Sequence, residues 1–243
     1  MKFRFTFFLA LLYFVNCTKD PIVSKKAIES VSQTLPFDFQ KIFNDQSKLT
    51  FSNTLTHNLK TKSNLFDYDF FYNGAGIGVE DVNNDGLQDV FFCGNQVPNK
   101  LFINKGNFIF EDITESANIN EHKNWSNGVT FVDINDDGWM DIYVTQGGPL
   151  GKSNRKNTLY INQKNNSFKE KAFEYGLDDH GISTQSVFFD FDNDGDLDCV
   201  VSNENDYYGL DPLSFYKIFK NKKKLHESSS HFYENKQGVY IDI

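Results

Sequence analysis

The stretch Asp81-Val82-Asn83-Asn84-Asp85-Gly86-Leu87-Gln88-Asp89 recurs twice along the chain. The second copy, 133–141, reads DINDDGWMD, and the third, 190–198, reads DFDNDGDLD. All three fit D-x-[DN]-x-D-G-x-x-D and start about 50–60 residues apart, a period that marks stacked supersecondary units. Each such unit must lean on its neighbours to bury a core, so the repeat decides the architecture before any other argument.

Positions 1, 3, 5 and 9 carry short oxygen-bearing side chains. They are Asp81, Asn83, Asp85 and Asp89, then Asp133, Asn135, Asp137 and Asp141, then Asp190, Asp192, Asp194 and Asp198. Hard cations want such ligands, and Ca²⁺ takes roughly 6–8 oxygens in flexible geometry. Glycine at position 6 permits the tight turn that gathers positions 1, 3 and 5. By analogy with the EF-hand loop, position 7 gives its backbone carbonyl, from Leu87, Trp139 and Asp196. One Ca²⁺ per repeat, three in all, is therefore expected. Mg²⁺ sheds its waters reluctantly and fits less well. A soft-metal site is disfavoured, since none of these positions is Cys or His. An EF-hand would need a Glu at position 12 and flanking helices. Position 12 is Phe92, Val144 or Val201, inside apolar, β-branched flanks that favour strands. A single copy would read equally well as a polar turn. Three copies that each keep all four ligand positions favour the ion.

Residues 1–17 read as an export signal. Lys2 and Arg4 precede an apolar run, 7–15, that is too short to span a bilayer. Cys17 follows, then polar Thr18-Lys19-Asp20. This resembles a bacterial lipoprotein signal, in which the cysteine is acylated, although Asn16 stands where a smaller residue is usual. Ordinary secretion or an uncleaved anchor are the alternatives. The expected address is an outer-membrane or cell-surface lipoprotein, or a secreted protein, held to the membrane through N-terminal lipid only. Cys93 and Cys199 lie in apolar runs and read as small buried hydrophobes, neither paired nor catalytic.

The formal charge is −9. The loop carboxylates supply much of it, and three Ca²⁺ would leave about −3 by simple summation. No basic partner is needed, and nucleic-acid binding is disfavoured. With 243 residues, 39% hydrophobic and 26 of them Phe, the chain can bury a sizeable core.

Each repeat follows one plan. A glycine-containing approach enters a first strand (74–80, 127–132, 183–189), and the acidic loop turns the chain into a second (89–93, 141–145, 198–202). A third strand follows (100–104, 157–162, 231–235), then a fourth (108–113, 167–172, 239–243). Four short strands with turn signals between them describe a propeller blade. The organisation is thus signal 1–17, linker 18–35, an N-terminal segment 36–73 packing on the propeller, and repeats 74–120, 121–178 and 179–243, the last truncated. Segment 39–49 reads as a stray fourth strand that could help close a ring. The connection between second and third strands varies most in length. It carries Gly147-Gly148-Pro149 in the second repeat and a Lys-rich loop, 217–224, in the third. Insertions on one face are where a binding surface is expected, although solvated loops are an equal reading.

The nonapeptide, the approach Gly76-Ile77-Gly78 and the strand Leu101-Phe102-Ile103-Asn104 resemble FG-GAP/VCBS repeats, which build the integrin alpha-subunit propeller. The phrases Phe71-Tyr72-Asn73-Gly74 and Gly181-Ile182-Ser183-Thr184-Gln185 are similar to large bacterial surface lipoproteins associated with ASPIC/UnbV domains. The resemblance implies an all-β, partial β-propeller of about three four-stranded blades, used for binding and holding Ca²⁺ at the loops already named. Since propellers close with about 4–8 blades, the chain reads as an N-terminal piece of a longer product, with edge-to-edge contact to missing blades. A complete short protein closing by oligomerisation is the alternative.

The expected function is therefore a non-catalytic, calcium-binding surface module for an unknown protein or glycan ligand. One alternative is a propeller-based secreted enzyme of polysaccharide lyase or phosphodiesterase type. Against it, His57, His122, His180, His226 and His231 form no spaced cluster. His180 beside Asp178 and Asp179 comes nearest to a general-base pair, and its convergence with another His and a carboxylate in one cleft would favour the enzyme. The other alternative is a glycan-binding accessory protein using loop aromatics such as Trp125, Trp139, Tyr207 and Tyr208.

Overall fold

Each acidic nonapeptide sits at the corner between two antiparallel strands. In the first unit β1 (Ile77–Glu80) leads through the loop into β2 (Asp89–Phe92), followed by β3 (Lys100–Asn104) and β4 (Phe110–Asp112). The second unit is β5 (Ser126–Val132), β6 (Asp141–Gln146), β7 (Thr158–Asn162) and β8 (Phe168–Glu170). The third is β9 (Ile182–Phe189), β10 (Asp198–Glu204), β11 (His231–Asn235) and β12 (Tyr240–Asp242). Strands pair in chain order within each unit, so the described residues form three four-stranded antiparallel sheets. This is the all-β, three-unit plan expected from the sequence, with strand ends differing by a few residues. The flanking Val, Ile, Phe and Tyr residues explain it, because they fit a pleated, half-buried surface.

The computed structural model describes residues 39–119, 125–149, 151–207, 210–226 and 228–243. The signal segment with Cys17, the linker 18–35, His122 and Tyr208 lie outside the described residues. The chain divides into two units, Met1–Lys41 and Ile42–Ile243, and the second holds every element named here.

Alternation along each strand builds two cores between three sheets. Phe91, Leu101 and Ile103 of the first sheet meet Ile142, Val144 and Tyr160 of the second. From the opposite face of the second sheet, Tyr143, Leu159 and Ile161 meet Cys199, Val201 and Tyr233 of the third. All of β6 is buried, since both its faces are covered. Cys93 and Cys199 are free thiols buried in these separate cores, and burial pushes the Cys93 thiol up to about 12. The first strands of successive units run side by side: the Gly76 N–H donates to Asn127 O at 2.7 Å, and the Thr130 hydroxyl to Ser186 O at 3.0 Å.

Three sequence expectations are corrected. Segment 39–49 holds no strand; its one regular element is a single helical turn, α1 (Asn44–Ser47), ended by Lys48 in the left-handed region at φ 64°. Beyond it, Leu49 and Phe51 pack against Val90, Phe102 and Phe110 on the first sheet's outer face, with Phe51 stacked on Phe92 at 4.9 Å. The Lys-rich 217–224 is not an open loop. Its two ends lie in the helices α3 (Pro212–Phe219) and α4 (Lys222–His226), with Lys220 and Asn221 between them; both helices follow the one-turn α2 (Ala172–Tyr175) in the chain. Asp211 caps α3 by accepting from the Leu213 and Ser214 N–H groups, with Pro212 at the first helical position. Trp125 is not a loop aromatic open to glycans. It is 3% exposed and packs with Tyr68, Phe71 and Ile182.

That packing also assigns Gly148 a structural role. It has φ +76°, and a Cβ there would lie 2.3 Å from Trp125 Cγ. Gly148→Ala should therefore cost about 1–3 kcal/mol through overpacking, read as a fall in Tm of roughly 3–10 °C. An unchanged Tm would mean that the Trp125 pocket is loose.

Candidate functional site

The three hairpin corners share one internal geometry. Position 4 is left-handed in each, with φ of 57° at Asn84, 53° at Asp136 and 63° at Asn193. Glycine at position 6 is likewise left-handed, at 83°, 81° and 97° for Gly86, Gly138 and Gly195. Two such residues two apart wind the loop tightly, and Asn, Asp and Gly are the residues that tolerate this.

The winding aims backbone N–H groups at the position 1 carboxylate. Asp81 accepts from Asp85 N at 3.1 Å and Gly86 N at 2.7 Å. Asp133 accepts from Asp137 N at 2.9 Å and Gly138 N at 2.7 Å. Asp190 accepts from Asn193 N at 2.7 Å and Gly195 N at 3.2 Å. Position 5 in turn accepts from position 7: Leu87 N to Asp85 at 2.9 Å, Trp139 N to Asp137 at 3.0 Å, Asp196 N to Asp194 at 3.1 Å. Position 3 joins through Asn83 Oδ1 and Asp192 Oδ1, which accept from the position 5 N–H at 3.1 and 3.2 Å. Asn135 is exposed at the loop surface.

In the third loop, carboxylate oxygens of Asp190, Asp192 and Asp194 all lie within 4.8 Å of one another. Asp196 Oδ1 is buried without a hydrogen-bond partner. Burial and the neighbouring Asp194 raise the Asp196 carboxyl, and burial first raises that of Asp192. Clustered acids of this kind fit a hard divalent cation, which would replace mutual repulsion with attraction.

Position 9 behaves differently from the other ligand positions. Asp89, Asp141 and Asp198 are buried at 0%, 0% and 1% exposure. Each carboxylate bridges two backbone donors. One oxygen accepts from position 2, through Val82, Ile134 and Phe191 N at 3.1, 3.2 and 3.1 Å. The other accepts from the end of the third strand, through Asn104, Asn162 and Asn235 N at 2.8, 2.7 and 2.8 Å. Burial pushes the Asp89 and Asp141 carboxyls up to about 6, against the lowering effect of those N–H groups.

Those third-strand asparagines are part of the corner's framework, a role that the sequence reading missed. Their amides donate to position 8 carbonyls: Asn104 to Gln88, Asn162 to Met140 and Asn235 to Leu197, at 3.0, 3.1 and 3.3 Å. Their oxygens accept from the next turn, at Gly106, Lys164 and Gly238 N. The available signal was the same residue type closing the third strand in all three units. Asn162 also donates to Val82 O at 2.7 Å, and Asn84 to Gly138 O at 3.0 Å, so the first and second corners meet on one edge of adjacent sheets.

Residues 81–144 and 150–201 match the family of FG-GAP-like repeats. It is 31% identical over 133 residues to cartilage acidic protein 1 of Xenopus tropicalis, a match spanning 54% of this chain and 20% of that one. The mouse protein, from Mus musculus, is 30% identical over 135 residues. A T-cell immunomodulatory protein homolog of Plasmodium yoelii yoelii is 28% identical over 243 residues, 90% of this chain and 32% of that one. The chain thus spans about a fifth to a third of the length of these relatives. These relatives are not the bacterial surface lipoproteins that residues 71–74 and 181–185 resemble.

Away from the acidic corners, the third unit gathers a second set of ionisable groups. A cleft of about 270 Å³ is lined by Lys152, Asp178, Asp179, His180, His231 and Tyr233. His180 therefore does share a cleft with a second histidine and carboxylates. Asp179, with a fully buried side chain, accepts from His231 Nδ1 at 2.5 Å, Gly181 N at 2.6 Å and the Tyr233 hydroxyl at 2.8 Å. Burial alone would raise the Asp179 carboxyl, but His231 and these donors hold it below the ordinary range. The same hydrogen bond lifts His231 to about 9 against its own burial. His180 is less engaged: its Nδ1 lies 3.1 Å from Lys152 O, and its Nε2 3.8 Å from Asp178. Another cleft, of about 310 Å³, has Phe70, Asn127, Thr184 and Glu204 in its wall. Glu204, which the sequence reading did not single out, has its Oε2 buried without a partner, and burial pushes its carboxyl up to about 7.

Proposed function

We propose that this chain is a non-catalytic, Ca²⁺-binding β-propeller module, exported and exposed at the cell surface, that binds a protein or glycan partner. One observation carries the reading: the same acidic cradle is built three times at the corner between the first two strands of a sheet. Asp81, Asn83, Asp85 and Asp89 would hold one ion, with Asp133, Asn135, Asp137 and Asp141, and Asp190, Asp192, Asp194 and Asp198, holding two more. Carbonyls of Leu87, Trp139 and Asp196 would add a ligand each. The ion's contribution is structural: it neutralises the carboxylates and pins the corner that joins two strands.

The face of the third sheet turned away from the second supports the propeller arrangement. Val187, Phe189 and Ile241 are 54%, 40% and 50% exposed there. A further blade would cover them as the second sheet covers the first, removing an apolar patch and a sheet edge from water. Export through the N-terminal signal with acylation at Cys17 would place the module on the membrane surface.

Calcium titration of the chelator-treated full chain tests the central claim. About three Ca²⁺ should bind per chain, and the double variant Asp190→Ala/Asp194→Ala should lose one. Absence of binding, or a stoichiometry unmoved by that variant, would overturn the reading. A secreted propeller enzyme is the second reading, favoured by His180, His231 and Asp179 meeting in one cleft. It requires hydrolase or lyase activity on a polyanionic or phosphodiester substrate that His180→Ala abolishes while Ca²⁺ stoichiometry stays at about three.

A further inference from the structure

The rim of the third sheet holds a cluster of another chemical kind. Strand pairing sets Asp242 opposite Tyr233, and His231 lies two residues before Tyr233 on the same face. The helix α4 ends at His226 and delivers a second imidazole to that rim, with ring centroids 5.0 Å apart. One ring nitrogen from each histidine and one Asp242 oxygen lie within 4.8 Å of one another. His226 Nε2 already sits 2.7 Å from Asp242 Oδ2.

His231 is oriented as a ligand would be. Its Nδ1 faces the buried Asp179 carboxylate at 2.5 Å and the Tyr233 hydroxyl at 3.2 Å. Its Nε2 points the other way and donates to the His226 carbonyl oxygen at 3.0 Å, a proton and a hydrogen bond that an incoming ion would displace. A carboxylate on one imidazole nitrogen fixes the ring and raises the basicity of the other, the arrangement that supports histidine ligands of zinc.

The geometry points to a borderline transition-metal site, of the Zn²⁺ type, made by His226, His231 and Asp242, with Asp179 as the positioning residue behind His231. Two imidazoles and one carboxylate select Zn²⁺, Co²⁺ or Ni²⁺ over Ca²⁺ and Mg²⁺. Tetrahedral Zn²⁺ with bonds near 2.0–2.1 Å sets its ligand atoms about 3.4 Å apart, so separations of up to 4.8 Å must contract while the 2.7 Å between His226 Nε2 and Asp242 Oδ2 widens. His226 and Asp242 are exposed, and the ion enters from solvent. Three protein ligands leave the fourth position to water. The site is independent of the acidic corners, which offer oxygen alone.

Co²⁺ titration of untagged full chain, saturated with Ca²⁺, separates the two kinds of site. One equivalent of Co²⁺ should develop the visible ligand-field bands of a four-coordinate, nitrogen-ligated ion, and Zn²⁺ should bleach them stoichiometrically. His226→Ala and Asp242→Ala, both at the surface, should each weaken binding at least tenfold with an unchanged far-UV spectrum and Ca²⁺ stoichiometry. Asp179→Asn should weaken it about 10–100-fold and shift the bands, as a positioning role requires. Absence of the bands, or bands that persist unchanged in both His226→Ala and Asp242→Ala, would overturn the site whatever becomes of the Ca²⁺ reading.

Discussion

Removing Ca²⁺ from the full chain should lower its Tm by roughly 15–30 °C. A ligand present at a hundredfold over its dissociation constant stabilises the folded state by about 2.7 kcal/mol per site. Three independent sites reach about 8 kcal/mol, and a domain of this size moves roughly 2–4 °C per kcal/mol. The mechanism is electrostatic. Without the ion, three carboxylates of the third loop stand within 4.8 Å of one another. Their backbone donors offset only part of that repulsion. EDTA in a thermal scan gives the measurement, and excess Ca²⁺ should restore the original curve while equimolar Mg²⁺ does not. A Tm indifferent to chelation would remove the structural role of the ion.

The second large effect is expected at Asp141, and it should survive chelation. Asp141→Ala strips the acceptor from Ile134 N and from Asn162 N, both buried. Each unsatisfied donor costs about 1–3 kcal/mol, so the variant should lose roughly 3–5 kcal/mol and about 6–20 °C of Tm. Asp141→Asn should give little rescue, because its amide sets a donor against one of the two N–H groups. Asp133→Ala provides the contrast. Its carboxylate serves one exposed and one half-buried donor, so its effect should be large with Ca²⁺ and shrink to about 1 kcal/mol in EDTA. Denaturant melts of the three variants, with and without chelator, decide the matter. Equal losses for Asp133→Ala and Asp141→Ala in EDTA would show that position 9 has no role apart from the ion.

These two predictions divide the nonapeptide along a line that the residue pattern alone did not draw. Positions 1, 3 and 5 were legible because their partners are neighbours: the glycine at position 6 and the N–H groups two to five residues ahead close the cradle locally. Position 9 read as a fourth ligand of the same kind. Its second partner comes from the third strand, 15, 21 and 37 residues away in the three units, and no local rule reaches across connections of such unequal length. The α3 helix was legible in principle from the Asp211-Pro212 start, but the lysines that follow suggested a solvated loop. Trp125 looked available for a ligand until Tyr68 and Phe71, from the segment before the first sheet, closed over it.

By itself the sequence determined the unit: an acidic corner between apolar strands, used three times, with left-handed positions that only Asn, Asp or Gly fill readily. That much follows from sterics and from the chemistry of short side-chain oxygens, which act over a single turn. Only the tertiary structure decided which distant groups meet. Asp179 precedes β9, His226 ends a helix inside an insertion, and Asp242 lies on the last strand, yet all three surround His231. Pairing within the third sheet brings them together: β12 beside β11 sets Asp242 opposite Tyr233, two residues from His231, and the insertion between β10 and β11 returns His226 to the same rim.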